Sequence, residues 1–408
     1  MNLLHVHTPT GHSGTLAREA DQYQFVYGAG ASSRDAVSLT MPIRALAYQS
    51  HALLPIFQMN QPEGFLRERL RHLLAKSVQQ DPALVMAALP GSAAIGRVFL
   101  SAPAGSATPG QASLPVPPDT PGETLQQLIS HPGAQGLFDT LLERYLHRSA
   151  VSGVQPKVLV PERSEPESAR ATAITSEFIV KSGLSEFPGL AVNEFVCMQA
   201  VKRAGIPCPD FYLSDDQQLF IMRRFDRTAD GSPVGFEDMA VLCGLSADEK
   251  YQGSYERVAR ALIDNCSPGN ITASLHQLFD MVAISCILGN GDAHLKNFGV
   301  LYASPDADDV RLAPAYDIVN TTCYLPQDAL ALSLDGQRSL FASRLGLLSF
   351  GKTCRLTAQQ THRRVRHLIG CVHDTLQDLH DLAHAVPGLL PAIDSSVTSF
   401  HNTFKKAP

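Results

Sequence analysis

The stretch at residues 289–298 constrains the fold of this chain more than any other part of it. It reads Gly-Asn-Gly-Asp-Ala-His-Leu-Lys-Asn-Phe, with an apolar helical segment before it (residues 279–288) and an apolar strand after it (residues 298–301). Two rigid elements therefore hold a polar loop between them. Loops positioned by a rigid scaffold in this way often carry catalytic or binding side chains.

The spacing within this loop predicts phosphoryl transfer. Asp292 and Asn297 lie five residues apart, the same interval as in the protein-kinase catalytic loop H-R-D-x-x-x-x-N. A carboxylate in this position can accept the proton of an acceptor hydroxyl, and an amide oxygen can coordinate magnesium. Taken alone, the interval also fits a polar turn without any chemistry.

A second metal ligand should follow on the next β-hairpin, after a strand at residues 310–312. Asp317 stands there, in the sequence Ala-Tyr-Asp-Ile-Val. Hard divalent cations prefer oxygen ligands, so an Asn oxygen and an Asp carboxylate suit Mg²⁺ bound to phosphates. We therefore predict Asp292 as the catalytic base, and Asn297 and Asp317 as the magnesium ligands.

Upstream, Lys181 ends an aliphatic strand at residues 177–181 and resembles the lysine of V-A-I-K, which contacts nucleotide phosphates. A strand-end lysine that faces water is the alternative. Glu194 lies on the next helix, predicted at about residues 190–203 and stopped by Gly205 and Pro207. It is the candidate partner of the lysine, and a solvated helix face is nearly as good an interpretation.

Composition limits the class of protein. A chain of 408 residues exceeds one ordinary core, and 44% hydrophobic with 18% charged residues describes a globular protein. The net charge of -6 argues against a bare nucleic-acid binder. The apolar runs are much shorter than the ~20 residues of a membrane span, and the N-terminus lacks the charged-then-apolar pattern of a secretion signal. The eight cysteines form no CxxC pair. We therefore expect a reduced, cytoplasmic protein with no membrane association.

The order of elements predicts the fold class. Short β-type runs at residues 3–8, 23–27 and 95–100 bracket a helical stretch at 64–76. We predict an α+β, two-lobed, protein-kinase-like fold, with a β-rich N-lobe that carries a small N-terminal α/β subdomain and an all-helical C-lobe. The predicted domains are residues 1–100 (the N-terminal subdomain), 101–122 (a proline-rich linker), 123–227 (the N-lobe with phosphate loop and hinge) and 228–408 (the C-lobe).

Together these pieces resemble the HipA family of bacterial type II toxin–antitoxin serine/threonine kinases. The matching segments are residues 152–157, 178–181, 193–195, 224–227, 291–299 and 314–319. The resemblance implies a kinase that uses ATP and Mg²⁺ and acts on the translation machinery, in known cases on aminoacyl-tRNA synthetases. It also implies a helix-turn-helix antitoxin as partner, and contact with operator DNA through the antitoxin complex.

The resemblance further implies which residues bind ATP. Residues 152–157 would cover the phosphates, Lys181 would contact them, residues 223–225 would face the adenine, and the catalytic and Asp317 loops would surround the metal. The implied ATP-binding residues are Ser152, Gly153, Val154, Gln155, Pro156, Lys157, Lys181, Arg223, Arg224, Phe225, Asp226, His294, Leu295, Lys296, Asn297, Tyr316 and Asp317.

Two departures from the family pattern bear on regulation and ATP binding. The phosphate loop of the family often begins with a serine whose autophosphorylation shuts off ATP binding, but here the sequence is Ala150-Val151-Ser152. Ser152 is therefore the predicted autophosphorylation site, with Ser149 as the alternative; a phosphate on it would repel those of ATP. Arg223 stands at a hinge position that is commonly acidic in the family. We expect little loss of ATP binding, because the backbone makes most hinge contacts.

A basic run at residues 362–367 supplies candidate DNA contacts, although a solvated helix face is the favoured interpretation. The candidates are Arg363, Arg364 and Arg366. Two other functions remain open from sequence: a small-molecule phosphotransferase of the aminoglycoside type, which uses a similar G-D-x-H-x-x-N loop, and a non-catalytic co-repressor scaffold.

Overall fold

The structure, a computed structural model, describes residues 2–19, 21–64, 66–68, 81–89, 94–103, 122–130, 134–146, 155–163, 177–183 and 186–405. Several predictions lie outside these residues. They are Ser149, Ser152, Gly153 and Val154, most of the proline-rich linker, and most of the helix predicted at 64–76.

The described residues contain both strands and helices. The strands are β1 (Asn2–Thr8), β2 (Gly11–Glu19), β3 (Gln22–Tyr27), β4 (Tyr48–Ser50), β5 (Phe99–Ser101), β6 (Lys157–Pro161), β7 (Glu177–Ser182), β8 (Phe211–Leu213), β9 (Leu219–Arg223), β10 (Gly235–Asp238), β11 (Gly299–Tyr302) and β12 (Arg311–Leu312). The α-helices are α1 (Pro55–Gln58), α2 (Pro82–Ala87), α3 (Leu125–Ile129), α4 (Ala134–Tyr145), α5 (Leu190–Arg203), α6 (Met239–Leu242), α7 (Tyr255–Asn265), α8 (Ile271–Leu288), α9 (Ser343–Thr353), α10 (Ala358–Asp378), α11 (His380–His384) and α12 (Leu389–Phe404).

The chain divides into two compact units, each built from separate stretches of sequence. The first contains Met1–Ser182, Ile221–Ala247 and Leu301–Asp308, and the second contains Gly183–Phe220, Asp248–Val300 and Asp309–Pro408. The domain boundaries predicted from sequence, which assume continuous stretches, stay predictions.

A five-stranded antiparallel sheet opens the first unit, in the order β4-β3-β2-β1-β5. Alternate side chains such as Leu4 and Val6 of β1 and Phe25 of β3 are buried, as period-two patterning requires. The strands predicted at residues 3–8 and 23–27 are confirmed. Of the run predicted at 95–100, only the end is strand (Phe99–Ser101), and the sequence reading missed β2, whose polar and small residues hide its alternation.

The first unit also contains the antiparallel pair β6–β7, in which Lys157 lies directly opposite Lys181. β9 extends this sheet on the other side of β7, where the backbone amide of Arg224 donates to the carbonyl of Glu177 at 2.9 Å. β7 begins at the residue predicted for it and ends one residue later, because it is a short aliphatic run bounded by polar residues.

The second unit is mainly helical and is built around α8. Residues Leu275, Leu278 and Val282 on this helix are buried, and α10 packs along it with Val365 and Leu368. With 18 residues and a mean hydropathy of 1.5, α8 has the length and composition that could cross a membrane; 67% of it is buried inside the protein, as is usual for a core helix.

Helix α5 of the second unit begins and ends where the sequence predicts. Gly189 precedes it with a φ of 73°, and Gly205 follows it with the same φ. Both glycines adopt the left-handed conformation that side chains disfavour. At Gly189 a Cβ would also lie 2.8 Å from a methyl carbon of Val386, so a larger residue would not fit.

Candidate active site

The loop that follows α8 is set by the end of that helix. Gly289 adopts a left-handed φ of 71°, and the backbone amide of Asn290 donates to the carbonyl of Ser285 at 2.9 Å. These contacts end the helix sharply and start the catalytic loop at a fixed point. A Cβ on Gly289 would lie 2.8 Å from the hydroxyl of Thr322, so close packing also favours glycine.

Asp292 is held through both its backbone and its carboxylate. Its backbone amide donates to the side-chain oxygen of Asn290 at 3.0 Å, and its carbonyl accepts from the amide of His294 at 2.8 Å. The carboxylate oxygen Oδ1 accepts a hydrogen bond from the hydroxyl of Tyr251 at 2.7 Å. Asp292 is therefore a fixed carboxylate at the end of a buried helix, as a general base requires.

The electrostatics around Asp292 favour a base that is ready to take up a proton. Solvent reaches its side chain, yet the density of protein around the carboxyl raises its pKa above the ordinary value. The hydrogen bond from Tyr251 lowers this pKa, Asp317 raises it, and Lys250 lowers it. Burial outweighs the favourable contacts, so the net direction is upward.

Asn297 and Asp317 lie together, as predicted. The amide nitrogen of Asn297 donates to the Asp317 carboxylate at 3.1 Å, and its amide oxygen accepts from the backbone of His294 at 3.2 Å. Asp317 has a φ of 59°, a conformation that costs about 1 kcal/mol or more for a residue with a side chain. Such a strained residue beside the catalytic loop is consistent with a functional constraint.

A short strand pair precedes Asp317, as the sequence predicts. β11 and β12 are neighbours in one sheet, and the amide of Ala313 donates to the carbonyl of Gly299 at 2.8 Å. Asp317 follows β12 in a loop at residues 313–320. The hydroxyl of Tyr316 in this loop donates to the carbonyl of Lys296 at 2.7 Å, which attaches the loop of Asp317 to the loop of Asp292.

The donor set fits magnesium in the form that phosphoryl transfer uses. Among the described residues, no group of three or more His, Cys, Asp or Glu side chains could hold a metal alone. Mg²⁺ at such sites takes one or two protein carboxyl or amide oxygens and completes its shell with phosphates and water. The carboxylate of Asp317 and the amide oxygen of Asn297 would supply these two ligands. In the structure this amide oxygen accepts from the backbone amide of His294 at 3.2 Å, so metal binding requires the Asn297 amide group to turn.

Small residues form the floor of the catalytic loop. The amide of Gly291 donates to the hydroxyl of Thr321 at 2.8 Å, and that hydroxyl donates to Asp328. A Cβ on Gly291 would collide with the Asp328 carboxylate. The glycine before the catalytic aspartate is therefore required by packing.

Three further residues of this loop, at positions 294–296, are buried. Leu295 is fully buried, and its amide donates to the carbonyl of Lys250 at 3.0 Å. His294 and Lys296 are buried as well. The rings of His294 and Tyr251 form a T-shaped pair with centroids 5.1 Å apart. Sequence reading missed Lys250 and Tyr251, since they lie about 40 residues upstream and no motif joins them to the loop.

In the first unit, Lys157 and Lys181 form a buried pair. They are opposite one another in the β6–β7 register, so both side chains lie on one face of the sheet, and they are only 6% and 2% exposed. Two ammonium groups in this arrangement repel each other and favour an anion nearby. The alternative of a water-facing Lys181 is wrong.

Glu194 in the second unit is also buried, so the alternative of a solvated helix face is wrong for this residue as well. Its pairing with Lys181 stays a prediction.

The segment predicted as the hinge contains a buried ion network. The guanidinium of Arg224 contacts the carboxylates of Glu177 and Asp226 and donates to the carbonyl of Ala94 at 2.7 Å. Asp226 also accepts from the amide of Gly96 at 2.8 Å. Burial by itself would raise the pKa of Asp226, but Arg224 outweighs it and holds the value at about 2.

This network assigns the side chains of Arg224 and Asp226 a structural role. The two lie on the same segment as Arg223, which forms a bidentate pair with Glu162 and stacks over Phe178 at 4.7 Å. An adenine contact from residues 223–226 therefore stays a prediction, and it would be made by the backbone and by the side chain of Phe225.

Of the predicted phosphate loop, the described residues Gln155 and Pro156 precede β6. The side-chain amide of Gln155 donates to the carbonyl of Ser182 at 3.1 Å.

The basic run on α10 is not a uniform surface. Arg364 pairs with Asp280 at 2.5 Å, and Nε of Arg366 donates to the carbonyl of Phe404 at 2.7 Å. Arg363 is exposed and makes no hydrogen bond or ion pair with the described residues. Of the three candidate DNA contacts, Arg363 is therefore the one whose guanidinium has no hydrogen-bond or ion-pair partner among the described residues.

Comparison with known protein families identifies the chain. The sequence model of the HipA-like C-terminal domain matches residues 149–378, and that of the HipA N-terminal domain matches residues 4–101. The chain belongs to the HipA family. The resemblance predicted from its motifs is thereby confirmed.

Curated relatives align with part of the chain. A protein of Sinorhizobium fredii named "Putative kinase Y4dM" is 32% identical over 181 residues, which are 40% of this chain and 42% of the relative. A "Putative kinase" of Haemophilus influenzae is 27% identical over 202 residues, 46% of this chain and 57% of the relative. The chain spans about half the length of the curated relatives it matches.

A solved HipA structure covers almost the whole chain. It is HipA of Shewanella oneidensis MR-1, determined with HipB and operator DNA; the TM-score is 0.64, and the identity is 17% over 98% of this chain and 96% of that one. At this identity the likeness concerns the fold. The predicted α+β, kinase-like fold class is confirmed.

Proposed function

We propose that this chain transfers the γ-phosphoryl group of ATP to a serine or threonine of a protein in the translation machinery, an aminoacyl-tRNA synthetase by family resemblance. The observation that carries the proposal is the arrangement in the second unit. Asp292 stands fixed on its loop, and Asn297 and Asp317 form an oxygen-bearing pair 3.1 Å apart beside it. This is the division of labour that phosphoryl transfer needs, a base and a metal-binding pair.

In the proposed reaction, Asp292 orients the acceptor hydroxyl and takes its proton. The acceptor oxygen forms a bond to the γ-phosphorus while the bond from that phosphorus to the β-phosphate oxygen breaks, and ADP leaves. Magnesium, when bound by Asn297 and Asp317, supplies neutralisation of the phosphate charge. Tyr316 keeps the two ligand-bearing loops together through its bond to Lys296.

The buried lysine pair supports ATP as the phosphate donor. Lys157 and Lys181 are the only residue pair of the β6–β7 register with two positive charges. Two ammonium groups on one face of a strand pair form a local concentration of positive charge, which attracts a triphosphate. We assign them to the phosphates of ATP, and Arg223 to Phe225 to the adenine through their backbone.

Regulation and partners follow from the family. We propose that autophosphorylation at Ser152, or at Ser149, ends the activity by placing about two negative charges beside the phosphates of ATP. We also propose a helix-turn-helix antitoxin and operator DNA as partners, since the solved HipA relative was determined with HipB and its operator. Cytoplasmic location stays a prediction.

The test uses the full chain with Mg²⁺, radiolabelled ATP and a panel of purified bacterial aminoacyl-tRNA synthetases, with kanamycin as a small-molecule acceptor. We expect label on one synthetase and, in the chain itself, on Ser152. Asp292→Asn should lower the rate about 10³-fold, the range expected for a lost general base. Asp264→Asn, on an exposed face of α7, is the matched control and should match wild type.

Two outcomes would reject the proposal. Label on the aminoglycoside and on no protein would favour a small-molecule phosphotransferase. Equal growth arrest from wild type and Asp292→Asn in cells would favour a co-repressor scaffold without catalysis.

A further inference from the structure

In the part of the chain that the structure describes, the carboxylate of Asp292 accepts one side-chain hydrogen bond, and it comes from Tyr251. Backbone hydrogen bonds to Asn290 and His294 fix the position of the residue but not the plane of its carboxylate, because the last torsion of an aspartate is broad. Among the described residues, only the Tyr251 hydroxyl donates to this carboxylate, at 2.7 Å to Oδ1. The orientation of the base therefore depends on one tyrosine.

Tyr251 is itself held through its backbone and its ring. Its carbonyl accepts from Arg338 at 2.7 Å, and its ring packs against the His294 ring in a T-shaped arrangement, with the two centroids 5.1 Å apart and an interplanar angle of 82°. The neighbouring Lys250 accepts from the amide of Leu295 at 3.0 Å through its carbonyl. Residues 250–251 are thus attached to the catalytic loop at two further points, so the hydroxyl is delivered by a fixed support.

A carboxylate has two oxygens, and each can accept hydrogen bonds. When Oδ1 is occupied by Tyr251, the carboxylate plane is set and Oδ2 is left to face an acceptor hydroxyl. Tyr251 is 40% exposed and Asp292 is also exposed, so the hydrogen bond between them lies where solvent, and therefore an acceptor hydroxyl, can reach the carboxylate.

We propose that Tyr251 is the positioning residue of the catalytic base: its hydroxyl holds Oδ1 of Asp292 so that Oδ2 receives the proton of the acceptor. This inference rests on the proposed kinase function. The role is one of geometry, since general-base catalysis requires the base within hydrogen-bond reach of the proton and correctly aimed.

Tyr251→Phe is the informative change, because it removes the hydroxyl and keeps the ring against His294. Phosphate transfer from ATP is measured for the full chain with the synthetase panel and with casein as a generic acceptor. We expect kcat to fall about tenfold, the effect of one hydrogen bond to a charged group, while KM for ATP stays within about twofold. Tyr212→Phe, a tyrosine of β8 in the same unit with no hydroxyl contact in the described residues, should behave as wild type.

A crystal structure of Tyr251→Phe gives a measurement that needs no turnover. The Asp292 carboxylate should leave its wild-type orientation or occupy two. Unchanged kcat, or an unchanged carboxylate, would overturn the inference, and so would a phosphate mapped to Tyr251, which would make it an acceptor. A wild type that labels no protein would instead reject the kinase function, and the crystal structures would still decide whether Tyr251 orients Asp292.

Discussion

Asn193 and Asn320 exchange two hydrogen bonds in the core of the second unit, although 127 residues separate them in the chain. The Asn193 amide nitrogen donates to the carbonyl of Asn320 at 2.8 Å, and its amide oxygen accepts from the Asn320 backbone at 2.9 Å. The Asn320 side chain then donates to the carbonyl of Leu288 at 2.6 Å. Asn320 lies three residues after Asp317, so this contact ties the loop of Asp317 to α5 and to the end of α8.

Asn193→Ala should destabilise the second unit by about 3 kcal/mol, because it leaves the backbone amide and carbonyl of Asn320 without their partner in a fully buried place. Urea denaturation measures the loss. Asn402→Ala, at an exposed position of α12, should change the free energy of unfolding by less than about 0.5 kcal/mol. A loss below about 1 kcal/mol for the Asn193 variant would show that water replaces the side chain.

Activity should fall on acidification at a pH above that of an ordinary aspartate. Burial raises the pKa of Asp292, and Asp317 and Asp328 add to this, while Tyr251 and Lys250 act in the opposite direction. The base works ionised, so kcat/KM declines as pH drops through this raised value. A pH–rate profile measures it, and a limb at about pH 4 or below would contradict the prediction.

The same shift has a consequence for stability. Between the unfolded and the raised folded pKa of a carboxyl, the folded protein binds more protons than the unfolded chain. The free energy of unfolding therefore falls as pH rises through this range. Asp292→Asn removes this cost and should unfold at a higher temperature than wild type at pH 7. The difference should shrink towards pH 4, which differential scanning calorimetry can follow; a less stable variant at pH 7 would refute it.

Asn297→Ala should raise the Mg²⁺ concentration needed for half-maximal activity about tenfold. It removes one of two oxygen ligands, and Asp317 alone holds the ion less tightly. Magnesium titration of the phosphotransfer rate gives the measurement. Asn265→Ala, on α7 away from this loop, serves as the control. A magnesium dependence equal to that of wild type would exclude Asn297 from the metal site.

Asp226→Asn should destabilise the first unit by about 3 kcal/mol. It leaves the fully buried guanidinium of Arg224 with Glu177 as its remaining carboxylate partner. Since the pKa of Asp226 is lowered to about 2, its contribution is present above its unfolded value and is lost as pH falls towards 2. Urea denaturation at pH 7 is the test, with exposed Asp308→Asn as control; equal losses would contradict a special role for the network.

Local patterns in the sequence were enough to predict much of the secondary structure. The end of α5 follows from a helical stretch that Gly205 stops, and β7 follows from a short aliphatic run. These signals involve neighbours within a few residues, so they do not depend on the path of the rest of the chain. The loop that carries Asp317 after β12 is placed by distant contacts that local sequence does not specify; the amide of Ala315, for example, donates to the carbonyl of Pro207 at 2.7 Å.

The sequence by itself determined the chemistry of the candidate site: the Asp292–Asn297 interval, Asp317 downstream and a lysine on an aliphatic strand are all visible in the order of residues. Only the tertiary structure decided how that chemistry is supported. Tyr251 reaches Asp292 across 41 residues, and Asn193 reaches Asn320 across 127. Side-chain partners at such separations are set by how helices and loops pack, and packing is a property of the whole core. That is also why Arg224, predicted to face adenine, has its guanidinium in a buried ion network.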